Sequence, residues 1–275
     1  MKEKIKQMLT FKKIFFTVVL LFLTSSCAIN CYNIASENNK PESLNDVLPR
    51  NSFVKIQKNV KLVVCNPDPK TLERCKESSI GSSASGFVVK NDEEGAYIVT
   101  AAHVCDSGEI KAFLRKTKNS EIDEERFEII DLDKNKYNFL AIAYDKEIDV
   151  CVGYVYNLQK PSIKFADSAP EEGDVVYNLA APLGIFDENA VPIMTGHFVG
   201  TSRGIALYSV AAAGGSSGSP LLNSKGELIG MIHSVYVRFP LVTLSPTYKQ
   251  LISFINNNAD KEAYLAERFF RNLLP

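Results

Sequence analysis

The chain has 275 residues, 45% of them hydrophobic and 23% charged, with a formal net charge of -1. That length allows a large buried core in one or two domains, and the composition is that of a globular protein. A net charge near zero gives no general pull toward nucleic acid or anionic lipid, so a nucleic-acid partner is not expected.

Lysines crowd the start at Lys2, Lys4, Lys6, Lys12 and Lys13, and the apolar run IFFTVVLLFL follows from Ile14 to Leu23. A bilayer span needs about 20 such residues. A basic head, a short apolar stretch and then small residues describe a secretory signal instead. The next segment, LTSSC, places Ser25 and Ser26 before Cys27. It resembles a bacterial lipobox, whose cysteine is acylated, although Thr24 stands where leucine is usual. An ordinary signal peptide cut nearby is the other reading. Both predict a mature chain outside the cytoplasm: periplasmic or membrane-anchored through a lipid on Cys27, otherwise secreted. Residues 1–27 are therefore expected to be the signal. Residues 28–51, polar and rich in Asn and Pro, are expected to be a tether.

Short runs rich in β-branched and aromatic residues then recur. In chain order they are FVKIQ, VKLVVC, GFVVK, AYIVTA, EIKAFLR, FLAIAY, DVCVGYV, DVVYNLAAP, GHFVGT, GIALYSV, PLLN and LIGMIHS. Gly, Pro, Asn or Asp separates them at intervals of about ten residues, the pattern of an all-β sandwich or barrel. A helical period first enters at SPTYKQLISFINN, where Ser245 is read as the N-cap and Pro246 as the first helical residue. Tyr248, Leu251, Ile252 and Ile255 then share one face. The tail, residues 257–275, has the pattern of a further amphipathic helix.

Six cysteines are present: Cys27, Cys31, Cys65, Cys75, Cys105 and Cys151. None has CxxC spacing or a histidine in a ligand pattern, so no metal site is expected. Cys65 and Cys75 bracket NPDPKTLER, a loop that a disulfide could close. With lipid on Cys27, Cys31 would be the odd one out.

Chemistry-bearing residues gather in three places. YIVTAAHVC ends a strand-like run in small residues and delivers His103. EIDVCVGYV puts Asp149 at the polar start of a strand, where an aspartate needs a partner. GGSSGSPLLN sets Ser217 in a glycine-rich loop held between two strand-like runs. A serine hydroxyl is a weak nucleophile until a base takes its proton, and the base needs an orienting carboxylate. The developing oxyanion needs fixed N–H donors, which a glycine before the serine lets the backbone supply.

The order His103, Asp149, Ser217 is the His-Asp-Ser order of the chymotrypsin arrangement. The motifs resemble the trypsin-like (chymotrypsin-fold) serine peptidase superfamily, especially its secreted bacterial and phage members. TAAHV at 100–104 resembles the histidine motif, DVCV at 149–152 the aspartate segment, and GSSGSPLLNSKGELIGM at 215–231 the serine loop. GDVVYNLAAPLG at 173–184 resembles the strand that opens the second barrel. The resemblance covers about residues 52–256. It implies two six-stranded antiparallel β-barrels, about 52–160 and 168–245, with a C-terminal helix and an active site between the barrels. It implies a serine endopeptidase acting on a protein or peptide substrate without cofactor or metal. His103, Asp149 and Ser217 would be catalytic, and the N–H groups of Gly215 and Ser217 would form the oxyanion hole.

Some features depart from that pattern. Ser216 precedes the serine where the superfamily usually has Asp or Asn. No IVGG-like start supports activation by cleavage. Ala211, six residues before Ser217, falls where trypsins keep an acidic pocket floor, so a preference for Lys or Arg is not expected. His233 is a second candidate specificity residue, because some glutamate-specific members place a histidine near this point. The alternatives are a partner for Asp149 or a wall residue, since one residue of slip on a strand turns a side chain to the other face. His197 has no motif around it and reads as structural.

Cys105 and Cys151 each lie two residues beyond a member of the His-Asp pair. A two-residue offset on a strand returns to the same face, so the two sulfurs could form a disulfide behind the pair; two buried thiols are the other reading. GGSSG also fits the G-x-S-x-G of α/β-hydrolases with Ser216 as nucleophile. That fold needs helices between parallel strands and the order Ser, acid, His, which this chain lacks. The remaining rival is a catalytically inactive interaction module on the same barrels.

Overall fold

The computed structural model describes residues 43–65, 75–106, 108, 120–187, 190–236, 239, 241–262 and 264–265. The expected signal, Cys27 and Cys31, and the run EIKAFLR lie outside the described residues. A compact unit begins at Ser43.

The expected tether gives way to packed chain before residue 51. A helical turn at Leu44–Val47 and a 3-10 turn at Arg50–Ser52 lead into the first strand, and Leu48 between them is buried in the main core. One apolar side chain among polar neighbours is enough to dock such a segment.

The first sheet contains β1 (Phe53–Cys65), β2 (Cys75–Asn91), β3 (Gly95–Thr100), β4 (Ser120–Ile130), β5 (Lys136–Asn138), β6 (Leu140–Asp145) and β7 (Val150–Tyr156). Its spatial order is β5-β4-β1-β2-β3-β7-β6, every neighbouring pair antiparallel. The second sheet contains β8 (Val175–Leu179), β9 (Ile193–Ser202), β10 (Ile205–Tyr208), β11 (Ser219–Leu222), β12 (Leu228–Ile232), β13 (Ser234–Val235) and β14 (Thr243–Pro246). Its order is β12-β11-β8-β9-β10-β14-β13. These are two curled antiparallel sheets, the chymotrypsin-like fold.

Seven strands stand in each sheet where six are expected. The surplus lies in edge strands too short to show as hydrophobic runs, the three-residue β5 and the two-residue β13. FVKIQ and VKLVVC are one strand, β1. The charged sequence of β4, SEIDEERFEII, hides its pairing with β1. Continuous burial marks β3 and the first six residues of β7, as expected for strands covered on both faces.

The main core spans both sheets: Phe87, Ile98 and Val152 of the first join Leu222, Leu228 and Met231 of the second. Leu251 and Ile255 from the C-terminal helix, Tyr248–Asn258, close it. That helix begins later than its sequence suggests. Ser245 and Pro246 end β14, paired with Ala206 and Ile205. Thr247 is the N-cap, in a capping box with Gln250. The Ser245 hydroxyl instead accepts from the Met231 N–H (3.0 Å). Tertiary pairing takes the two residues that local propensity assigns to the helix start. Beyond the helix, Lys261 pairs with Asp92 (3.3 Å) and Glu94, tying the tail to the first barrel.

Two disulfides brace the first barrel. Cys65–Cys75 closes the β1–β2 hairpin, and Cys105–Cys151 joins the helical turn Ala102–Cys105 to β7 with Cα atoms 6.5 Å apart. The bridge forms although the strand-offset argument holds on neither side: His103 and Cys105 sit on a helical turn, and Asp149 stands before β7 with a positive φ. Cys105–Cys151 spans 46 residues, and closing such a loop stabilises by about 4 kcal/mol on the chain-entropy model. Replacing both cysteines with serine should lower unfolding free energy by about that amount in equilibrium denaturation. An unchanged midpoint would reject the bridge.

Candidate active site

His103 and Asp149 come together across the first barrel. β3 ends at Thr100, and the chain turns into the short helix that carries His103. Asp149 stands one residue before β7 with φ of 54°. This left-handed conformation is tolerated by Asp better than by most residues. There Asp149 Oδ1 accepts from the His103 backbone N–H at 2.9 Å, and Oδ2 lies 2.8 Å from His103 Nδ1. One carboxylate thus fixes both the main chain and the ring of the same histidine. Burial pushes the Asp149 carboxyl up, but the side-chain hydrogen bond and charge of His103 outweigh it and hold the group below the usual carboxylate range.

Ser217 approaches from the second barrel. It lines a cavity of about 240 Å³ with His103, Lys58, Ser82, Ser83 and Ala84. Of the three serines in the loop, Ser216 and Ser219 are buried and Ser217 is only partly so. The Ser216 hydroxyl accepts from the Ala213 N–H (3.3 Å), closing a tight turn. The Ser219 hydroxyl accepts from Asn178 Nδ2 (2.8 Å). Both are engaged in structure.

The loop holds its shape through its glycines. Gly215 has φ of 98°, and a Cβ there would lie 2.3 Å from the Ala181 carbonyl. Gly218 has φ of 83°, and a Cβ would lie 2.2 Å from Thr100 Oγ1 and 2.3 Å from the Ser85 carbonyl. Only glycine lets the loop press this closely against Ala181 on one side and Thr100 and Ser85 on the other.

The residue that receives the loop is Ser85 on β2, which the sequence reading missed. It is fully buried. Its N–H donates to the Ser217 carbonyl (2.8 Å) and its hydroxyl donates to the Gly215 carbonyl (2.8 Å). The same hydroxyl accepts from the Ala181 N–H (3.0 Å), while Thr100 Oγ1 donates to the Ser85 carbonyl (2.8 Å). A polar residue directly before the apolar run GFVV was the available signal. The segment after β8 contributes as well: the Leu183 N–H donates to the Gly214 carbonyl (2.6 Å). In a trans peptide the carbonyl and the next N–H point opposite ways, so the Gly215 N–H is aimed away from Leu183. Among the described residues, no carbonyl or side chain accepts from the N–H of Gly215 or Ser217.

His233 lies behind Asp149, its Nδ1 3.7 Å from Oδ2 and 3.0 Å from the Ser234 hydroxyl. It lines a second cavity, of about 640 Å³, with His103, Asp149 and Lys146. It stands beside Asp149 and is not among the residues lining the cavity that Ser217 shares. Ala211 is exposed and lines neither cavity. His197, on β9, exchanges bonds with Ser209: its N–H donates to the Ser209 hydroxyl (3.0 Å), and its carbonyl accepts from the Ser209 N–H (2.9 Å).

Residues 84–231 match the trypsin-like peptidase domain family. The chain belongs to that family. It is 26% identical over 186 residues to the pro-apoptotic serine protease NMA111 of Pyricularia oryzae, and 29% identical over 181 residues to that of Chaetomium globosum. In both matches 64% of this chain is covered but only 17% of the relative, so the chain spans about a sixth of their length. Among solved structures it resembles the serine endoprotease from Yersinia pestis, with TM-score 0.56, 18% identity and coverage of 79% of this chain and 66% of that one. It also resembles the active form of the Rv3671c protease from M. tuberculosis, with TM-score 0.52, 16% identity and coverage of 76% and 81%. At such identities these likenesses show the fold alone.

Burial pushes the His233 imidazole below its ordinary value of 6.5, opposed by the charge of Asp149 and reinforced by that of His103. The fold therefore prefers neutral His233. The stability this confers is complete above about pH 6.5 and is lost as pH falls through the lowered value. Melting temperature should drop on acidification from pH 7 to 5, and less steeply in His233→Gln. Parallel curves for the two proteins would reject this role.

Proposed function

We propose that the chain is a serine endopeptidase in which His103, Asp149 and Ser217 act as a triad. The observation that carries this reading is the position of His103. Its Nδ1 faces Asp149 at 2.8 Å, and its ring borders the cavity that Ser217 shares. In that mechanism Nε2 removes the Ser217 proton as Oγ attacks the scissile carbonyl, and later returns it to the leaving amine. Asp149 holds the tautomer and stabilises the imidazolium. The N–H groups of Gly215 and Ser217 receive the oxyanion, and water then hydrolyses the acyl-enzyme.

Ser217→Ala and His103→Ala should each lower turnover by about a millionfold with the fold intact. Ser216→Ala and Ser219→Ala should retain much of the activity. Ser85→Ala, by loosening the loop, should lower kcat about 10-fold or more with little change in KM. A serine-directed fluorophosphonate should label the parent protein but not Ser217→Ala. Parent-rate cleavage by a folded Ser217→Ala protein would overturn the mechanism.

The basic, apolar start and the two disulfides favour work outside the cytoplasm. Intact-mass analysis of protein exported by a bacterial host should find a chain lacking the first residues, and diacylglycerol on Cys27 would mark the lipoprotein. A mature chain still beginning at Met1 would count against export.

A further inference from the structure

The segments that carry His103 and Asp149 are also joined by a covalent bond. Two residues further along each, Cys105 and Cys151 form a disulfide. Its two ends differ in their freedom to move. Cys151 is fully buried in β7 and paired on both sides, with Thr100 of β3 and Tyr144 of β6. Cys105 is half-buried and ends a single helical turn, Ala102–Cys105. One turn of helix has little stability of its own. The hydrogen bonds of this one run from the N–H groups of Val104 and Asp106 back to Ala101 and Ala102, inside the same segment. The turn is further held by the buried Val104, by Lys58 on the Val104 and Asp106 carbonyls (3.3 and 3.5 Å), and by Lys146 on Asp106 (2.7 Å). Lysine side chains are long and follow the backbone they bind.

Reduction turns the bond into two thiols, which have to separate to van der Waals contact. In a close-packed interior the partner that is free to move gives way. Here that partner is Cys105, and His103 stands two residues before it on the same turn. The His103 backbone N–H and Nδ1 both face Asp149, at 2.9 and 2.8 Å. A shift of the turn therefore loosens both contacts at once. The Cys65–Cys75 bond has no such reach. It lies at the far end of the β1–β2 ladder from the core residue Phe87.

Resting on the peptidase and export readings, we propose that Cys105–Cys151 is an activating bond: the dithiol chain is folded but nearly inactive, and oxidation outside the cytoplasm switches it on. Thiols stay reduced in the cytoplasm, whereas disulfides form and persist beyond it. The oxidant is itself a disulfide, RSSR, either a small molecule or the oxidised form of a dithiol oxidoreductase. The thiolate of Cys105, the accessible end, attacks RSSR and releases one RS⁻. The Cys151 thiolate then attacks the Cys105 sulfur and releases the second. Two electrons pass to RSSR, and the two cysteine protons leave with the products as two RSH. A chain made in the cytoplasm thus carries its His103 off position until it has left.

The test compares the full chain oxidised and after reduction with dithiothreitol, in the cold, with circular dichroism as the check on folding. With the fold intact, reduction should lower kcat and the rate of fluorophosphonate labelling by about 100-fold, the cost of a misplacement of about 1 Å. Glutathione disulfide should restore both. Cys65→Ser/Cys75→Ser should show the same loss and recovery. Cys105→Ala/Cys151→Ala removes the sulfurs that have to separate, so it should stay within about tenfold of the oxidised parent whatever the reductant. The proton NMR resonance of His103 Nδ1–H, shifted downfield by its charged acceptor, should be sharp in oxidised protein and lost on reduction. Undiminished labelling of reduced, folded protein would overturn the inference, as would an Ala/Ala chain as inactive as the reduced parent. A reduced chain that unfolds even in the cold would also overturn it, because the bond would then be a condition of folding and not a switch. If the oxidised parent neither cleaves peptides nor takes the label, the peptidase reading falls, while the imidazole resonance still decides whether the bond sets the His103–Asp149 contact.

Discussion

A buried hydroxyl from one barrel holds the serine loop of the other. Ser85 contacts the carbonyls of Gly215 and Ser217 and the N–H of Ala181, so two segments of the second half, the serine loop and the chain after β8, are referenced to one residue of β2. Each such bond adds only about 1 kcal/mol net, but a buried partner left unpaired costs about 1–3 kcal/mol. The loop is thus confined to the one position that satisfies all of them. Gly218 completes the constraint, because any side chain there would push the loop off Thr100 and Ser85.

The His103–Asp149 pair is built by a different device. Its two residues hang from the ends of adjacent strands, β3 and β7, which pair from Gly95–Tyr156 to Thr100–Cys151. The pairing fixes the distance between the ends, and the Cys105–Cys151 bond repeats the constraint two residues further along each segment. Asp149 is largely removed from water yet stays charged, since both oxygens accept from His103. A carboxylate fixed in advance spares the solvent rearrangement that would accompany charging of the ring.

β2 connects these arrangements. Its last third is core, with Phe87 and Val88 fully buried. Its middle carries Ser85, and its first half is an exposed ribbon closed by Cys65–Cys75. One strand therefore joins the packing of the first barrel, the placement of the serine loop and the mouth of the cleft. Lys58, on β1 beneath the same cavity, is nearly buried and satisfied by Glu125 (3.0 Å) and the Val104 carbonyl (3.3 Å). The floor of the cleft is thus polar without an unpaired charge.

The sequence determined the all-β class, because β-branched and aromatic runs broken by Gly and Pro admit little else. It also determined which histidine, aspartate and serine stand in motifs, since TAAHV, DVCV and GSSGSP are local patterns. Where pattern and pairing disagreed, pairing decided. Ser245 and Pro246 have helix-start chemistry but complete β14, and β4 is a strand despite its charges because β1 offers it a partner along ten residue pairs. Only the tertiary structure revealed Ser85 and turned His233 toward Asp149. Each of these depends on contacts between residues far apart in the chain, and no local periodicity encodes such contacts.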